Sequence, residues 1–316
     1  MLYDLIFSLN IVLPLFLLII LGYGLKRFAF FNDGFLRGGN KFVFYIALPV
    51  TLFRNLYMSD IGELLDLMFI AFLIGMTLIV FLVIWGLSVI FIKDKKILGA
   101  FVQGAFRSNF ALLGIPLLFN MAGEAGLARA ALIVTFVLPL FNIFSILVLA
   151  GCSDSGKKVG PLTIAYTVIK NPLIIGIALG MLASVSGMTL PNIIDHSTSY
   201  LANMATPLAV ICLGAGIVFK GFDKKFKYAV VASILKVIIL PIIFIGAGYA
   251  FGFRGYDLAA LLVLAGTPSA IVGYAMVVQM GGDEYIAGTV IVISTLASAV
   301  TLTLFIYTMR ILGLLG

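Results

Sequence analysis

The chain writes one pattern twice and interrupts it at the same place each time. Pro14 and Pro172, Gly22 and Gly180, and Pro49 and Pro207 each stand 158 residues apart; Gly114 and Gly273 stand 159 apart, as do Met121 and Met280. In both copies a long apolar stretch is broken near its middle. The first break runs from Asn109 through Gly114 to Pro116, and the second from Gly266 through Thr267, Pro268 and Ser269 to Gly273. Paired, interrupted apolar segments in corresponding positions of two halves point to a binding site at their interface in mid-membrane.

A bilayer is the medium that composition allows. Hydrophobic residues make up 63% of the chain and charged residues 10%, where a soluble domain carries about 25% charged residues; mean hydropathy is +1.22. A helical span needs about 20 mostly apolar residues. Ten such spans are expected, over 8–29, 40–58, 66–92, 97–120, 126–150, 162–186, 200–219, 227–252, 257–280 and 285–312. The first follows Met1–Asp4, which lacks the positive region of a cleavable signal. The fold class is therefore an all-α membrane protein, since a transmembrane barrel would alternate at period two.

The loops give a direction. Fourteen of the twenty basic residues fall in one alternate set of loops: Lys26, Arg27, Arg37, Lys41, Lys93, Lys95, Lys96, Lys157, Lys158, Lys170, Lys220, Lys224, Lys225 and Lys227. The opposite set, with the C-terminus, holds Arg54, Arg129, Arg254 and Arg310. The positive-inside rule puts the larger set in the cytoplasm and both termini outside a cell membrane. Five spans is an odd number, so the second half enters from the opposite side, as an inverted repeat. The division is 1–150 for the first repeat, 151–161 for a short polar cytoplasmic linker, and 162–316 for the second repeat.

Chemistry is expected at the breaks. Proline removes a backbone donor and clashes with the preceding turn, and freed backbone groups in lipid must be met by protein or by a water-filled cavity. A break also exposes helix N-termini, whose bare N–H groups and partial positive charge suit a carboxylate. Asn109, Gly114 and Pro116 mark the first site, and Thr267, Pro268 and Ser269 the second. Two cations lie at depth: Arg107 about ten residues into the fourth span and Lys236 about nine into the eighth, each about 15 Å from the cytoplasmic boundary. An intramembrane charge costs about 2.5–3.5 kcal/mol and is a functional hypothesis by default. All thirteen acidic residues fall in loops or near span ends, which makes an anionic substrate the natural counter-ion. Asn142 in the fifth span is placed to reach the same cavity. Asn10, Gln103, Asn171 and Asn203 have interhelical hydrogen bonding as the plainer account.

Other classes are excluded or set aside. The chain has one histidine, His196, and two cysteines, with no metal-binding His pair and no nucleophile elbow, so no enzyme, metal or cofactor is expected. The net charge of +7 belongs to the loop pattern rather than to nucleic-acid binding. Leu149–Cys152 imitates a lipoprotein site but follows five spans. The reading is a secondary carrier that exports or exchanges small organic anions by alternating access. A sodium- or proton-coupled carboxylate symporter is the alternative, followed by a passive anion channel. Without carboxylates at depth, uncoupled export of a monoanion from a negative interior would gain about 2.3 kcal/mol per 100 mV.

The Leu-Gly-Ile-Pro116 stretch after Asn109, the Lys170, Asn171 and Pro172 opening of the sixth span, Leu48 and Pro49 of the second, and the Gly266-Thr267-Pro268 break together resemble the auxin efflux carrier family, in its prokaryotic branch. The resemblance covers essentially the whole chain. It implies the ten-helix fold of the bile-acid symporter superfamily, with spans 4 and 9 crossing at their breaks and a scaffold beside a mobile crossover domain. It further implies malate-like or auxin-like anions, a homodimer, and a carboxylate bound near Asn109. The 5–6 loop is far shorter than the hydrophilic loop of long plant members, and the acidic sodium ligands of bile-acid symporters have no counterpart that can be placed here.

Overall fold

A computed structural model describes residues 2–57, 66–152, 170, 172–187, 189–216 and 225–315. Most of the expected linker 151–161, with Lys157 and Lys158, lies outside the described residues, as does Asn171. The described residues are helical, with no strand and a single isolated antiparallel bridge. In chain order the helices are α1 (Leu2–Arg27), α2 (Asp33–Phe42), α3 (Leu48–Tyr57), α4 (Leu67–Phe91), α5 (Lys95–Phe106), α6 (Ile115–Cys152), α7 (Pro172–Val185), α8 (Asn192–Ala215), α9 (Phe226–Ile234), α10 (Leu240–Ala250), α11 (Tyr256–Gly266), α12 (Ile271–Gln279) and α13 (Glu284–Ile311). Among the described residues, four stretches are long and apolar enough to cross a bilayer: Leu67–Phe91, Phe110–Cys152, Phe226–Ala250 and Glu284–Ile311. Along α4, Ile79, Leu82, Val83, Leu87, Ile90 and Phe91 are each more than half exposed, a surface that lipid rather than water accommodates.

Three π-helical turns punctuate these helices, and each has the same cause. They span Val43–Ala47, Phe110–Gly114 and Leu235–Ile239, and Pro49, Pro116 and Pro241 follow their ends by two residues. A proline cannot donate to the carbonyl four residues back, and its ring crowds that carbonyl. The carbonyls concerned belong to Tyr45, Leu112 and Val237, the central residue of each turn. The ladder relaxes to a spacing of five: Leu48 N–H donates to Val43, Ile115 to Phe110, and Leu240 to Leu235. Gly123 (φ 55°, ψ −135°) bends α6 between the expected fourth and fifth spans, a conformation that glycine adopts without a Cβ clash.

Asp66, Asp94 and Asp283, near span starts, are helix caps. Asp66 accepts from Phe69 N at 2.9 Å, Asp94 from Lys96 N at 2.8 Å, and Asp283 from Ile286 N at 2.9 Å, each satisfying an orphan donor of a first turn. Arg129 lies 2.6 Å from Asp257 and 3.7 Å from Asp66, tying the starts of α4 and α11 to α6. Lys225 pairs with Asp283 at 2.6 Å and Arg54 with Asp195 at 2.5 Å. Each of these contacts joins residues that the loop charges assign to one side.

Two packing groups emerge. Helices α1, α2, α3, α7 and α8, with the π-turn Val43–Ala47, pack on one another, while α4, α5, α6 and α9–α13 form the larger group. In the smaller group backbones nearly touch: a Cβ on Gly22 would lie 2.0 Å from Ile211 O, and one on Gly214 1.9 Å from Ile19 O. Such small-residue contacts drive helix association where lipid removes the hydrophobic incentive. The groups meet mainly along α1 and α13, with smaller contacts where α3 and α7 reach α6 and where α8 reaches the π-turn Phe110–Gly114.

Candidate functional site

The two interruptions meet. Helix α5 stops at Phe106 and α11 at Gly266, and the short extended links that follow run antiparallel, bridged at Ser108 and Ser269. Asn109 N–H donates to Pro268 O at 2.8 Å, a carbonyl beside the ring that ended the helix. Thr267 Oγ1 donates to Val263 O at 2.9 Å, so Ser108 Oγ donates to Thr267 Oγ1. Ser269 N–H donates to Ser294 Oγ of α13 at 3.1 Å. Four helix ends converge here: the C-termini of α5 and α11, and the N-termini of α12 and of the turn that opens at Phe110.

A cavity of about 440 Å³ opens on one face of this meeting point. Its wall from the larger group carries Arg107, Ser108, Asn109, Asn142 and Ala270, and the opposite wall, from α2 and the π-turn after it, carries Asn40 and Lys41. No acidic side chain is among its described lining residues. Arg107 is 7% exposed. Its Nη1 donates to Ser145 Oγ at 2.9 Å and Phe141 O at 3.4 Å, and its Nη2 to Asn142 Oδ1 at 2.7 Å. Hydrogen bonds to a charged group contribute about 1.5–3 kcal/mol each, so these neutral acceptors offset an insertion cost of about 2.5–3.5 kcal/mol. Among the described residues no carboxylate pairs with the guanidinium, and its charge is left for the cavity. Asn109 is 4% exposed, and its Nδ2 has no acceptor among the described residues. A buried polar group left unpaired costs about 1–3 kcal/mol; a ligand oxygen would remove that cost.

The remaining expected residues serve the backbone. Gly114 faces the ring of Phe110, where a Cβ would come within 2.5 Å. Pro116 causes the π-turn that aims Ala111 and Leu112 at the cavity. Thr267, Pro268 and Ser269 hold the bridge and are absent from the cavity lining. Lys236 is fully buried away from the cavity, and its Nζ donates to Ala265 O in the last turn of α11. Asn10 and Asn203 are exposed, and Gln103 is buried against α12, with Nε2 3.9 Å from Met276 Sδ. Sequence reasoning missed Ser108, Ser145 and Lys41. Lys41 had served only as a loop charge; its place two turns before Pro49 was the available signal.

Comparison with known proteins agrees with a membrane transporter. The family model described as "Membrane transport protein" matches residues 7–159 and 162–306. An uncharacterized transporter of Methanocaldococcus jannaschii is 26% identical over 306 residues, covering 94% of this chain and 97% of that protein. A Rhizobium meliloti protein named "Putative malonate transporter" is 27% identical over 308 residues, covering 95% of each. An uncharacterized transporter of Escherichia coli K12 is 23% identical over 320 residues, covering 97% of this chain and 99% of that protein.

Proposed function

The chain belongs to the membrane transport protein family, whose members are transporters rather than enzymes, and from that premise we propose that it is a secondary carrier for small organic anions, with the carboxylate bound at the meeting of the two breaks. The observation that carries the reading is the unpaired Nδ2 of buried Asn109 beside the uncompensated charge of Arg107, in a cavity with no acid in its lining. The N-termini of α12 and of the turn at Phe110 add positive potential at the same place. Lys41 on the facing wall supplies a second cation, which favours a dicarboxylate over a monocarboxylate. The Rhizobium relative's name, a malonate transporter, supports the same chemistry.

In this reading the chain forms ten spans in two inverted repeats, with spans 4 and 9 crossing at their breaks in a cell membrane, both termini extracytoplasmic, and a homodimer as the assembled form. Lys41, assigned to the cytoplasmic side by the loop charges, puts the cavity on that side in this reading. Because its walls come from different packing groups, sliding the larger group against the smaller one would carry Arg107 and Asn109 away from Lys41 and expose them on the other side. That is alternating access by rigid-body displacement. A passive anion channel is the second reading.

The test is uptake of radiolabelled malonate into proteoliposomes of the purified protein. Saturable uptake, accelerated by unlabelled malonate on the trans side, is expected. Linear, non-saturating flux would make the protein a channel. Saturable uptake of neutral solutes in preference to mono- and dicarboxylates would remove the anion reading.

A further inference from the structure

A second cavity, of about 550 Å³, opens on an exposed flank of the larger group, between α4 and the run from α9 through the π-turn Leu235–Ile239 into α10. Ligand pockets usually measure about 300–1,000 Å³. Buried Val80, Ile84 and Phe101 close its floor. Its rims carry Val83, Leu87 and Phe91 from α4, and Val231 from α9, all exposed. Apart from Ser88, Tyr228 and Lys227, every described lining residue is apolar. Water finds no partners along such a slot, whereas hydrocarbon matches it.

The slot has a length and a charged end. On the α4 wall it runs from Met76 to Ile92, and on the facing wall from Lys227 to Ile243, sixteen residues in each case. At 1.5 Å per residue that is about 24 Å. One leaflet is about 15 Å deep, half of a hydrocarbon core of about 30 Å. Lys227 stands at the end that the loop charges assign to the cytoplasm, exposed, with Nζ 5.2 Å from the ring centre of Tyr228. Lys93 follows Ile92 of the opposite wall and is exposed as well. Among the described residues neither ammonium pairs with a carboxylate: Asp94 caps α5, and Asp283 holds Lys225. The first turn of α9 has no side-chain cap, so its bare N–H groups add positive potential at the same end.

We propose that this slot is an anionic-phospholipid site, in which one acyl chain lies between α4 and α9–α10 and the phosphate is met by Lys227 and Lys93. Basic pockets between spans on the cytoplasmic side take anionic headgroups, and here the basic end is continuous with an apolar channel of leaflet depth. A zwitterionic lipid fits the channel, but its own ammonium cancels the attraction. A free phosphate meets the lysines and leaves the channel empty. Both walls belong to the larger group, so the bound chain fills a gap inside one packing unit and stabilises it.

The test uses no transport substrate and so stands apart from the carboxylate reading. Thermal unfolding of the purified full-length protein in maltoside micelles is followed as dioleoylphosphatidylglycerol, dioleoylphosphatidylcholine or glycerol phosphate is added. Phosphatidylglycerol is expected to raise the midpoint saturably and further than phosphatidylcholine, by a margin that shrinks in high salt. Glycerol phosphate is expected to leave the midpoint unchanged. K93Q/K227Q should unfold with wild type in the absence of lipid, because both lysines are exposed. It should need about 25-fold more phosphatidylglycerol for half of the rise, about fivefold for each lysine removed. V83W and, on the facing wall, V231W fill the slot from exposed positions and should blunt the response to both lipids. Equal responses to the two lipids in wild type, or none to either, overturn the proposal. So does a double variant that matches wild type in phosphatidylglycerol, or a rise with glycerol phosphate alone. Folded V83W and V231W that keep the full response place the lipid elsewhere. Loss of a dimer in them at an unchanged lipid response makes this flank an interface between copies of the chain, and either result overturns the proposal.

Discussion

The break at Arg107–Asn109 and the break at Thr267–Ser269 share a backbone and differ in chemistry. Each is an extended link between two half-helices, and each contributes one residue to the Ser108–Ser269 bridge. On the α11 side every polar group named in the link is consumed locally: Thr267 by Val263 and Ser108, Pro268 by Asn109, Ser269 by Ser294, with Lys236 on the helix end. On the α5 side a guanidinium and an amide donor remain directed at a cavity. The repeat fixes where the chain must open, and the side chains decide which opening is left unsatisfied for a guest.

The largest effect that would break this comparison is at Arg107. R107A should lower kcat/KM for malonate exchange by about a hundredfold or more, since a charged hydrogen bond contributes about 1.5–3 kcal/mol and long-range attraction adds to it. Exchange that is unchanged in R107A would place the anion elsewhere. N109A should come next, with KM raised about tenfold for loss of one donor to a charged oxygen, and it should unfold at the same temperature as wild type or higher, because an unpaired buried donor has been removed. The partner break should respond in the opposite sense. T267V strands the Ser108 hydroxyl and should cost about 1–3 kcal/mol of stability while leaving KM within about twofold; a large KM change with unaltered unfolding would make the two breaks functionally alike. The smallest effect is at the exposed Lys41. K41Q should raise KM for malonate by about threefold, more at low salt than at high, as expected for a solvent-screened charge. Acetate affinity should stay unchanged, and an equal effect on both anions would deny Lys41 its pairing with a second carboxylate.

Much of the frame was legible in the sequence because prolines and glycines act locally. Pro49, Pro116 and Pro241 predict disturbed turns wherever they stand, and the Gly266–Gly273 break needs no tertiary information. The rotation of each helix was not legible. A helix that is apolar all round has no face for periodicity to report, so Arg107 and Lys236 looked alike as cations at depth. One lines the cavity, and the other caps a helix end away from it. Asn142 and Asn203 were alike for the same reason, yet one holds Arg107 and the other is exposed. Lys41 escaped notice because the positive-inside rule explains any loop lysine without asking what it faces.

The three π-turns carry a mechanical consequence. A wide turn holds a surplus residue, and in an ordinary helix such a surplus can migrate along the ladder as bonds re-register. Here a proline stands two residues beyond each turn and supplies no N–H in any register, so the surplus is pinned. The walls at Val43–Ala47 and Phe110–Gly114 and the seat of Lys236 are in this sense wedges rather than hinges. A transporter stiffened at its centre has to find its compliance at the seam between the packing groups, mainly along α1 and α13, and substitutions there should change turnover without changing what is bound.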